Sequence, residues 1–147
     1  MAKCGEVMTR EPACCEPGDS IQRAAQLMKT EDVGSLPVVE SRSSRTLVGI
    51  ITDRDIVVKV VAEGRPAQSA SVRDAMTQNP VTVREDDDVN RALSAMADRK
   101  VRRIPAVDSE GRLCGIIAQA DIATRLHHDK TTGDLVEAIS EPQTARK

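Results

Sequence analysis

The residues best suited to hydrogen-bond chemistry lie where a predicted strand runs directly into a predicted helix. Thr52 and Asp55 stand there in the pattern Thr-x-x-Asp. A carboxylate can accept two hydrogen bonds from a cis-diol, and a hydroxyl beside the free N–H groups of a helix suits a phosphate. The same spacing is that of a capping box, which contributes about 1 kcal/mol to stability without any ligand. From the spacing alone, the capping box is the simpler interpretation.

A second carboxylate in a similar position separates these two interpretations better. Asp121 also follows a predicted strand, but Ala118 stands at the place that Thr52 holds in the first pattern. Without the hydroxyl the capping box is broken, so a helix-start role explains Asp121 less well. The same change removes a hydroxyl that could contact phosphate, and any phosphate at this second place needs another partner.

Two adjacent arginines are the candidates for that partner. Arg102 and Arg103 lie just before the apolar-Pro pair Ile104-Pro105. A guanidinium presents fork-shaped donors that suit phosphate. The alternative is that these arginines are solvated charges at a strand edge, or that they pair with Asp98 or Glu110. Both interpretations stay open at this point.

An internal repeat determines which elements position these residues. Matches recur 68 positions apart in the first part of each repeat and 66 positions apart afterwards. The two-residue difference lies in the polar stretch 40–45, where a hairpin loop tolerates insertion. The matched segments are Met8-Thr9 with Met76-Thr77, Leu36-Pro37 with Ile104-Pro105, Gly49-Ile50-Ile51 with Gly115-Ile116-Ile117, and Asp55 with Asp121.

Each repeat predicts five elements in the order β-α-β-β-α. Their bounds in the two repeats are 13–15 and 81–83 for an extended piece, 35–39 and 103–107 for the next strand, 46–51 and 113–117 for its partner, and 53–63 and 119–127 for a closing helix. An amphipathic helix precedes the strand pair, with Asp19 and Asp87 as expected N-caps. Its apolar stripe is Ile21, Ala24, Ala25 and Met28 in the first repeat, and Val89, Ala92, Leu93 and Met96 in the second. Arg54 and Lys59 are weaker candidates for a phosphate contact and are expected on a solvated face of the closing helix.

The size of each repeat determines the expected architecture. A β-α-β-β-α unit this small cannot bury its helices and sheet alone, whereas two copies can bury them against each other. The sequence therefore predicts an α+β (mixed α/β) fold in which tandem repeats pack as a pseudo-two-fold pair. The predicted boundaries are 7–63 for the first domain, 64–71 for a linker, 72–128 for the second domain, and 129–147 for a tail with a short helix over 134–140. Apolar helix faces left over favour a symmetric homodimer.

The composition restricts the function classes. The net charge is −2 and the chain has no Phe, Trp or Tyr, whereas nucleic-acid binders carry clustered positive charge and often stacking aromatics. No apolar run approaches the ~20 residues needed to cross a bilayer, and the amino-terminal residues contain no secretory signal. We therefore expect a cytoplasmic protein with no nucleic-acid or membrane partner. No catalytic residues are predicted, since no nucleophile–base pair, metal-ligand set or Walker-type loop stands out.

Four cysteines leave another interpretation open. Cys4, Cys14, Cys15 and Cys114 form no C-x-x-C pair, and in a reducing compartment such residues usually behave as small buried hydrophobes. The adjacent Cys14-Cys15 pair nevertheless keeps a redox or metal sensor as an alternative. No metal site is predicted from His127-His128, because adjacent side chains on a helix point about 100° apart.

The doubled pattern resembles the CBS (cystathionine-beta-synthase) domain. The resemblance covers about Val7–Lys59 and Val72–Leu126, and its motifs are Met-Thr followed by Pro, apolar-Pro-Val, and Gly-Ile-Ile-Thr-x-x-Asp. A single motif would be weak, but the motifs occur twice in register. The chain looks like the small stand-alone CBS-pair proteins of bacteria. Arg102-Arg103-Ile104-Pro105 and Thr52-Asp53-Arg54-Asp55-Ile56 resemble the subgroup linked to stress or hypoxia responses.

The resemblance implies two clefts at the interface of the pair, each able to hold AMP, ADP, ATP, NAD or S-adenosylmethionine. It implies that Asp55 and Asp121 hold ribose hydroxyls, that Thr52 contacts phosphate, and that Arg103 and Arg102 face phosphate in the second repeat. The residues that would frame adenine are Ala13, Leu36 and Pro37 in one cleft, and Pro80, Val81, Ile104 and Pro105 in the other.

The function implied by the resemblance is that of a regulatory sensor. It would require no cofactor, would bind an adenosine nucleotide such as AMP or ATP as its ligand, and would signal by a conformational change that a protein effector reads. Ala118 supports a further alternative, in which the pair is degenerate and serves only for oligomerisation or interaction.

Overall fold

The computed structural model describes residues 2–125 and shows a mixed α/β fold. In chain order the elements are α1 (Cys4–Val7), β1 (Thr9–Arg10), α2 (Ile21–Glu31), β2 (Ser35–Val39), β3 (Leu47–Thr52), α3 (Asp53–Ile56), a π-helical turn (Val57–Val61), α4 (Val72–Ala75), β4 (Thr77–Gln78), β5 (Val83–Arg84), α5 (Val89–Arg99), β6 (Arg103–Val107), β7 (Leu113–Ala118) and α6 (Gln119–Arg125). The predicted fold class is confirmed. Over the described range, no helix has both the length and the apolar character to cross a membrane.

The chain forms two compact units that do not coincide with the two sequence repeats. The first unit is Ala13–Pro80, and the second, over its described part, combines residues 2–12 with 81–125. The amino-terminal segment with α1 and β1 therefore belongs to the unit of the second repeat, while α4 and β4 belong to the unit of the first. The domain boundaries predicted from the sequence repeat therefore remain a prediction.

The two units contain equivalent sheets. In the second unit the strand order is β1-β7-β6-β5, where β6 and β7 are antiparallel and β5 runs parallel to β6. In the first unit the order is β2-β3-β4, and Cys15 adds one parallel bridge to Val38 at the place that β5 holds in the second unit. Strand β4 pairs with β3 as β1 pairs with β7.

The amphipathic helices bury most of the predicted apolar stripe. In α5 all four residues of the stripe are buried, and in α2 the buried residues are Ile21, Ala24 and Met28. Ala25 is exposed, so its place in the stripe was wrong. Leu27, which the predicted stripe left out, packs partly buried against this core instead.

The N-caps of the two long helices lie one residue later than predicted. Ser20 caps α2 and Asp88 caps α5, so the prediction of Asp19 and Asp87 was wrong. These two carboxylates instead accept the backbone N–H of the residue three positions earlier, at 2.9 and 2.8 Å. They therefore close the turn before each helix, and the neighbouring side chain caps the helix itself.

The closing helix of the first repeat changes its geometry midway. The prediction of one helix over 53–63 was too long, because α3 passes into a π-helical turn that ends at Val61. The Ala62 N–H donates to the Val57 carbonyl at 2.8 Å, five residues back. In this turn Val60 is buried, whereas Val57 and Val61 are exposed.

Left-handed backbone conformations repeat between the units although the residue types differ. Asp32 and Lys100, which follow α2 and α5, have φ values of 55° and 57°. Glu11 and Asn79, which precede the two prolines of the Met-Thr motifs, have φ values of 49° and 54°. The repeat is thus carried by the backbone even where the side chains have diverged.

Replacing Lys100 by glycine is expected to stabilise the protein. A left-handed conformation costs a residue with a Cβ about 1–2 kcal/mol, and the larger entropy of unfolded glycine offsets part of the gain, which leaves about 0.5–1 kcal/mol. Urea unfolding measures the change. The matched control is Arg99→Gly, one residue earlier inside the helix, which should lose about 1 kcal/mol. A loss of stability in Lys100→Gly would contradict this account.

Candidate functional site

The first candidate site is the junction between β3 and α3. Strand β3 ends at Thr52 and α3 begins at the next residue. Ser35 lies opposite Thr52 in the β2–β3 pair, and the Asp53 N–H donates to the Gly34 carbonyl at 2.8 Å. These contacts fix the start of the helix against the start of β2.

Thr52 and Asp55 form a capping box at this junction. Thr52 Oγ1 accepts the Asp55 N–H at 3.0 Å, and Asp55 Oδ2 accepts the Thr52 N–H at 3.0 Å. The cap interpretation therefore describes the geometry correctly. The cap uses only part of the acceptor capacity of the Asp55 carboxylate, because its two oxygens together offer about four lone-pair positions. The Asp55 side chain remains 14% exposed, which leaves it within reach of a ligand.

Lys59 is part of this junction: it lies on an exposed helix face, as predicted, but its ammonium also makes contacts within the protein. Its Nζ lies 3.2 Å from Asp55 Oδ1 and donates to the Ala75 carbonyl at 3.0 Å. The side chain is half-exposed. Its ammonium thus joins the carboxylate to the last residue of α4, sixteen positions further along the chain.

The second candidate site is the equivalent junction between β7 and α6. Asp121 lies in the first turn of α6 and is partly buried. The Gln119 N–H donates to the Arg102 carbonyl at 2.9 Å, as Asp53 does to Gly34 in the first unit. Arg103 lies directly opposite Ala118 in the β6–β7 pair. The strand register therefore places an arginine opposite Ala118, the position at which the first repeat has the hydroxyl of Thr52.

The guanidinium of Arg103 is not used for internal pairing within residues 2–125. None of the hydrogen bonds and ion pairs of these residues involves its side chain, which is partly buried. Glu110, which sequence reasoning offered as a partner, lies 3.4 Å from Arg112 instead. Arg102 is partly buried as well and does make an interaction.

The apolar residues predicted to frame a base are divided between the units and mostly lie in their cores. Leu36 and Ile104 are 1% exposed. The Pro37 carbonyl accepts the Cys15 N–H at 3.0 Å, so it belongs to the sheet. By unit, the predicted site residues are Ala13, Leu36, Pro37, Thr52, Asp55 and Pro80 in the first, and Val81, Arg102, Arg103, Ile104, Pro105 and Asp121 in the second.

Three of the four cysteines carry little thiolate near neutral pH. Burial is the main cause that raises the pKa of Cys4 to about 11 and that of Cys15 to about 12. Burial, followed by the charges of Glu85 and Asp108, also raises the pKa of Cys114. Since the thiolate is the metal ligand and nucleophile, these three residues are poorly suited to either role.

Metal binding finds no ready site in the part of the chain that the structure describes. No group of three or more His, Cys, Asp or Glu side chains there could hold an ion together. The acidic run at 85–88 is used locally: Glu85 pairs with Arg10, Asp87 with Arg91, and Asp88 caps α5. His127-His128 and the predicted tail helix over 134–140 lie outside the described residues.

The fold and the two junctions together define a class of protein: a duplicated β-α-β-β-α module with a carboxylate in the first turn after the last strand. The family model for the CBS domain matches residues 4–62 and 72–128. The chain therefore belongs to the CBS domain family.

Curated relatives of similar length support this assignment. The chain is 38% identical over 141 residues to the uncharacterized protein YlbB of Bacillus subtilis, covering 96% of this chain and 93% of that protein. It is 32% identical to hypoxic response protein 1 of Mycobacterium tuberculosis, covering 97% and 96%. An inosine-5'-monophosphate dehydrogenase of Methanocaldococcus jannaschii is 36% identical over 90% of this chain, but that match spans only 25% of the enzyme. The predicted resemblance to small CBS-pair proteins is confirmed.

Solved structures with the same fold include ligand complexes. The chain resembles CBSX2 of Arabidopsis thaliana, solved in complex with AMP, at TM-score 0.76 and 27% identity over 88% of this chain and 99% of that one. It resembles the CBS domain pair of MJ0100, solved with 5'-methylthioadenosine and S-adenosyl-L-methionine, at TM-score 0.74 and 28% identity over 88% and 98%. Hypoxic Response Protein I, solved with two coordinated zinc ions, gives TM-score 0.75 at 30% identity over 84% and 98%.

Proposed function

We propose that this chain binds an adenosine-containing nucleotide at its two strand-to-helix junctions and serves as a regulatory module. The observation that carries the proposal is the repetition of one arrangement: Asp55 and Asp121 each stand in the first turn of a helix that follows a strand directly. CBSX2 with AMP, and MJ0100 with 5'-methylthioadenosine and S-adenosyl-L-methionine, support an adenosine-type ligand.

At the first junction, Asp55 is proposed to accept hydrogen bonds from the ribose hydroxyls. Its two oxygens already accept the Thr52 N–H and face Lys59, which fixes the carboxylate and leaves lone pairs for two further donors. Thr52 Oγ1 accepts one hydrogen bond within the cap, and its own O–H is proposed to donate to a phosphate oxygen.

At the second junction, Arg103 is proposed to take over the phosphate contact. It lies opposite Ala118, which offers no hydroxyl, and its fork of donors is not consumed by the described residues. Asp121 keeps the ribose role. The two junctions would therefore differ, with the second one better suited to a ligand that carries more negative charge.

The base would lie against backbone and aliphatic side chains. The chain contains no Phe, Trp or Tyr, so the base cannot stack on a ring of any of these three types. Ala13 and Val81 pack at the edge of the two cores and are only partly buried, which suits them for a contact with adenine. Leu36, Pro37, Ile104 and Pro105 would contribute mainly through their backbone groups, and Pro80 through its partly exposed ring.

Stabilisation by ligand tests the proposal. A nucleotide at 100 times its dissociation constant is expected to raise the free energy of unfolding by about 2.7 kcal/mol per site, because it binds only the folded state. Urea unfolding with AMP, ADP, ATP, NAD and S-adenosylmethionine measures the effect. Asp55→Asn combined with Asp121→Asn should remove it, while Asp98→Asn, an exposed carboxylate on α5, should retain it. The proposal fails if no ligand stabilises the wild type, or if the double variant responds as the wild type does.

The proposal includes the partners that the family resemblance implies. These are a second copy of the chain and a protein that reads the bound state. Sedimentation equilibrium with and without nucleotide measures the first of them, and a monomer under both conditions would remove the homodimer from the proposal.

A further inference from the structure

We propose that Lys59 is a positioning residue of the first junction, which holds the Asp55 carboxylate in the orientation that ligand hydroxyls require and ties it to the end of α4. The inference rests on the proposed nucleotide binding and adds to it a residue outside the Thr-x-x-Asp motif. It also adds a physical connection from the site to the segment that leads into β4.

The Asp55 carboxylate is held from two sides. Oδ2 accepts the Thr52 N–H at 3.0 Å, and Oδ1 faces Lys59 Nζ at 3.2 Å. A carboxylate with only one oxygen held can rotate about its terminal bond, whereas one with both oxygens held cannot do so without losing a contact. The remaining lone pairs therefore point in fixed directions, which is what recognition of a cis-diol needs.

Lys59 differs from an ordinary exposed lysine because its own position is fixed. A pair four residues apart on a helix surface usually contributes only about 0.3–0.5 kcal/mol, since two long side chains must be ordered for one contact in water. Here the same ammonium also donates to the Ala75 carbonyl at 3.0 Å, and its partner Asp55 is only 14% exposed. The second bond orders the lysine independently of Asp55, so the ion pair loses less entropy.

The other end of this connection is the Ala75 carbonyl. Ala75 is the last residue of α4 and is buried, and Met76 leads from it directly into β4. Strand β4 in turn pairs with β3, the strand that ends at Thr52. Lys59 thus closes a loop of contacts within the first unit that runs from β3 through Asp55 to α4 and back to β3.

Three roles for Lys59 make different predictions. A positioning role through Asp55 affects adenosine and AMP by the same factor, because both carry the ribose hydroxyls. A direct contact with phosphate, through the third ammonium donor, affects AMP and spares adenosine. A purely structural role lowers the melting temperature and leaves both affinities unchanged once the protein is folded.

Isothermal titration of four full-length proteins separates these roles. All carry Asp121→Asn, so that only the first junction binds, and they are otherwise wild type, Lys59→Met, Lys59→Arg and Arg54→Met. Arg54 is the matched control, since it is an exposed cation on α3, one residue before Asp55. Circular dichroism at the titration temperature verifies that each variant is folded.

Lys59→Met is expected to weaken both adenosine and AMP about three- to fivefold. Lys59→Arg, which keeps the charge and can reach two acceptors, should restore affinity to within about twofold, and Arg54→Met should bind as the wild type does. Unchanged affinities in folded Lys59→Met, or a loss confined to AMP, would overturn the positioning role and leave the proposed function standing. Failure of the protein with Asp121→Asn alone to bind either ligand would instead refute ligand binding at the first junction, and the role of Lys59 with it.

Discussion

Gly115→Ala is expected to lower the free energy of unfolding by about 3 kcal/mol. A Cβ at this position would lie 2.5 Å from Met8 Sδ and 2.9 Å from the Thr9 carbonyl oxygen. The methionine side chain can move aside, but the carbonyl belongs to β1, which pairs with β7 at this point. Accommodating the methyl group therefore requires β1 to separate from the sheet.

Urea unfolding of two further variants determines whether the backbone is responsible. Gly18→Ala adds the same methyl group where no atom lies within 4 Å, and it should change stability by less than about 0.5 kcal/mol. Met8→Ala combined with Gly115→Ala removes the conflict with sulfur and keeps the one with Thr9. If this double variant were no less stable than Met8→Ala alone, the clash would lie in the side chain and the account of β1 would be wrong.

A steep loss of stability between pH 9 and pH 11 is the second large expected effect. The Cys4 and Cys15 side chains are fully buried, and burial raises their pKa values from 9.0 to about 11 and about 12. The unfolded chain releases its thiol protons first, so the contribution of each thiol is complete below about pH 9 and is lost as the pH rises toward the folded pKa. Each thiol removes up to about 1.4 kcal/mol per pH unit in this window, or about 5 kcal/mol for both by pH 11.

Urea unfolding at pH 8, 9, 10 and 11 measures this loss in the wild type and in Cys4→Ala, Cys15→Ala and the double variant. The value at pH 8 gives the packing cost of each substitution, and the slope above pH 9 gives the thiol contribution. The chain has no tyrosine, so lysines and the Cys114 thiol are the other side chains considered in this range. An equally steep slope in the double alanine variant would rule out Cys4 and Cys15 as the cause.

The long elements could be predicted from the sequence because their patterns are local. Strands β2 and β6 have the predicted bounds, and the stripe of α5 is buried as expected. The elements α1, β1, α4 and β4 were not predicted. Each has only two to four residues, and β1 and β4 exist because they pair with β7 and β3, which lie far away in the sequence. Only the spacing Ser71-x-x-Asp74, which forms a capping box, offered a local signal for one of them.

The candidate site could be predicted only in part. The spacing of residues shows which side chains stand at a junction, but it does not show which hydrogen bonds they make. Thr-x-x-Asp located Asp55 correctly at a helix entrance, and the same residues turned out to form the cap. The role of Lys59 was missed because helical periodicity places it on an exposed face. Its contact with Ala75 depends on the packing of α4, sixteen residues later, which no local pattern encodes.

The exchange of the short segments has a consequence for how such a chain can be divided. The strand from Thr9 completes the sheet that contains Gly115, and the strand from Thr77 completes the one that contains Gly49. A fragment cut between the repeats would keep an open sheet edge together with an orphan strand that fits a different edge. The shortest part of this chain that can complete its sheets is therefore the whole pair. The alternative is one repeat in two molecules that exchange this strand.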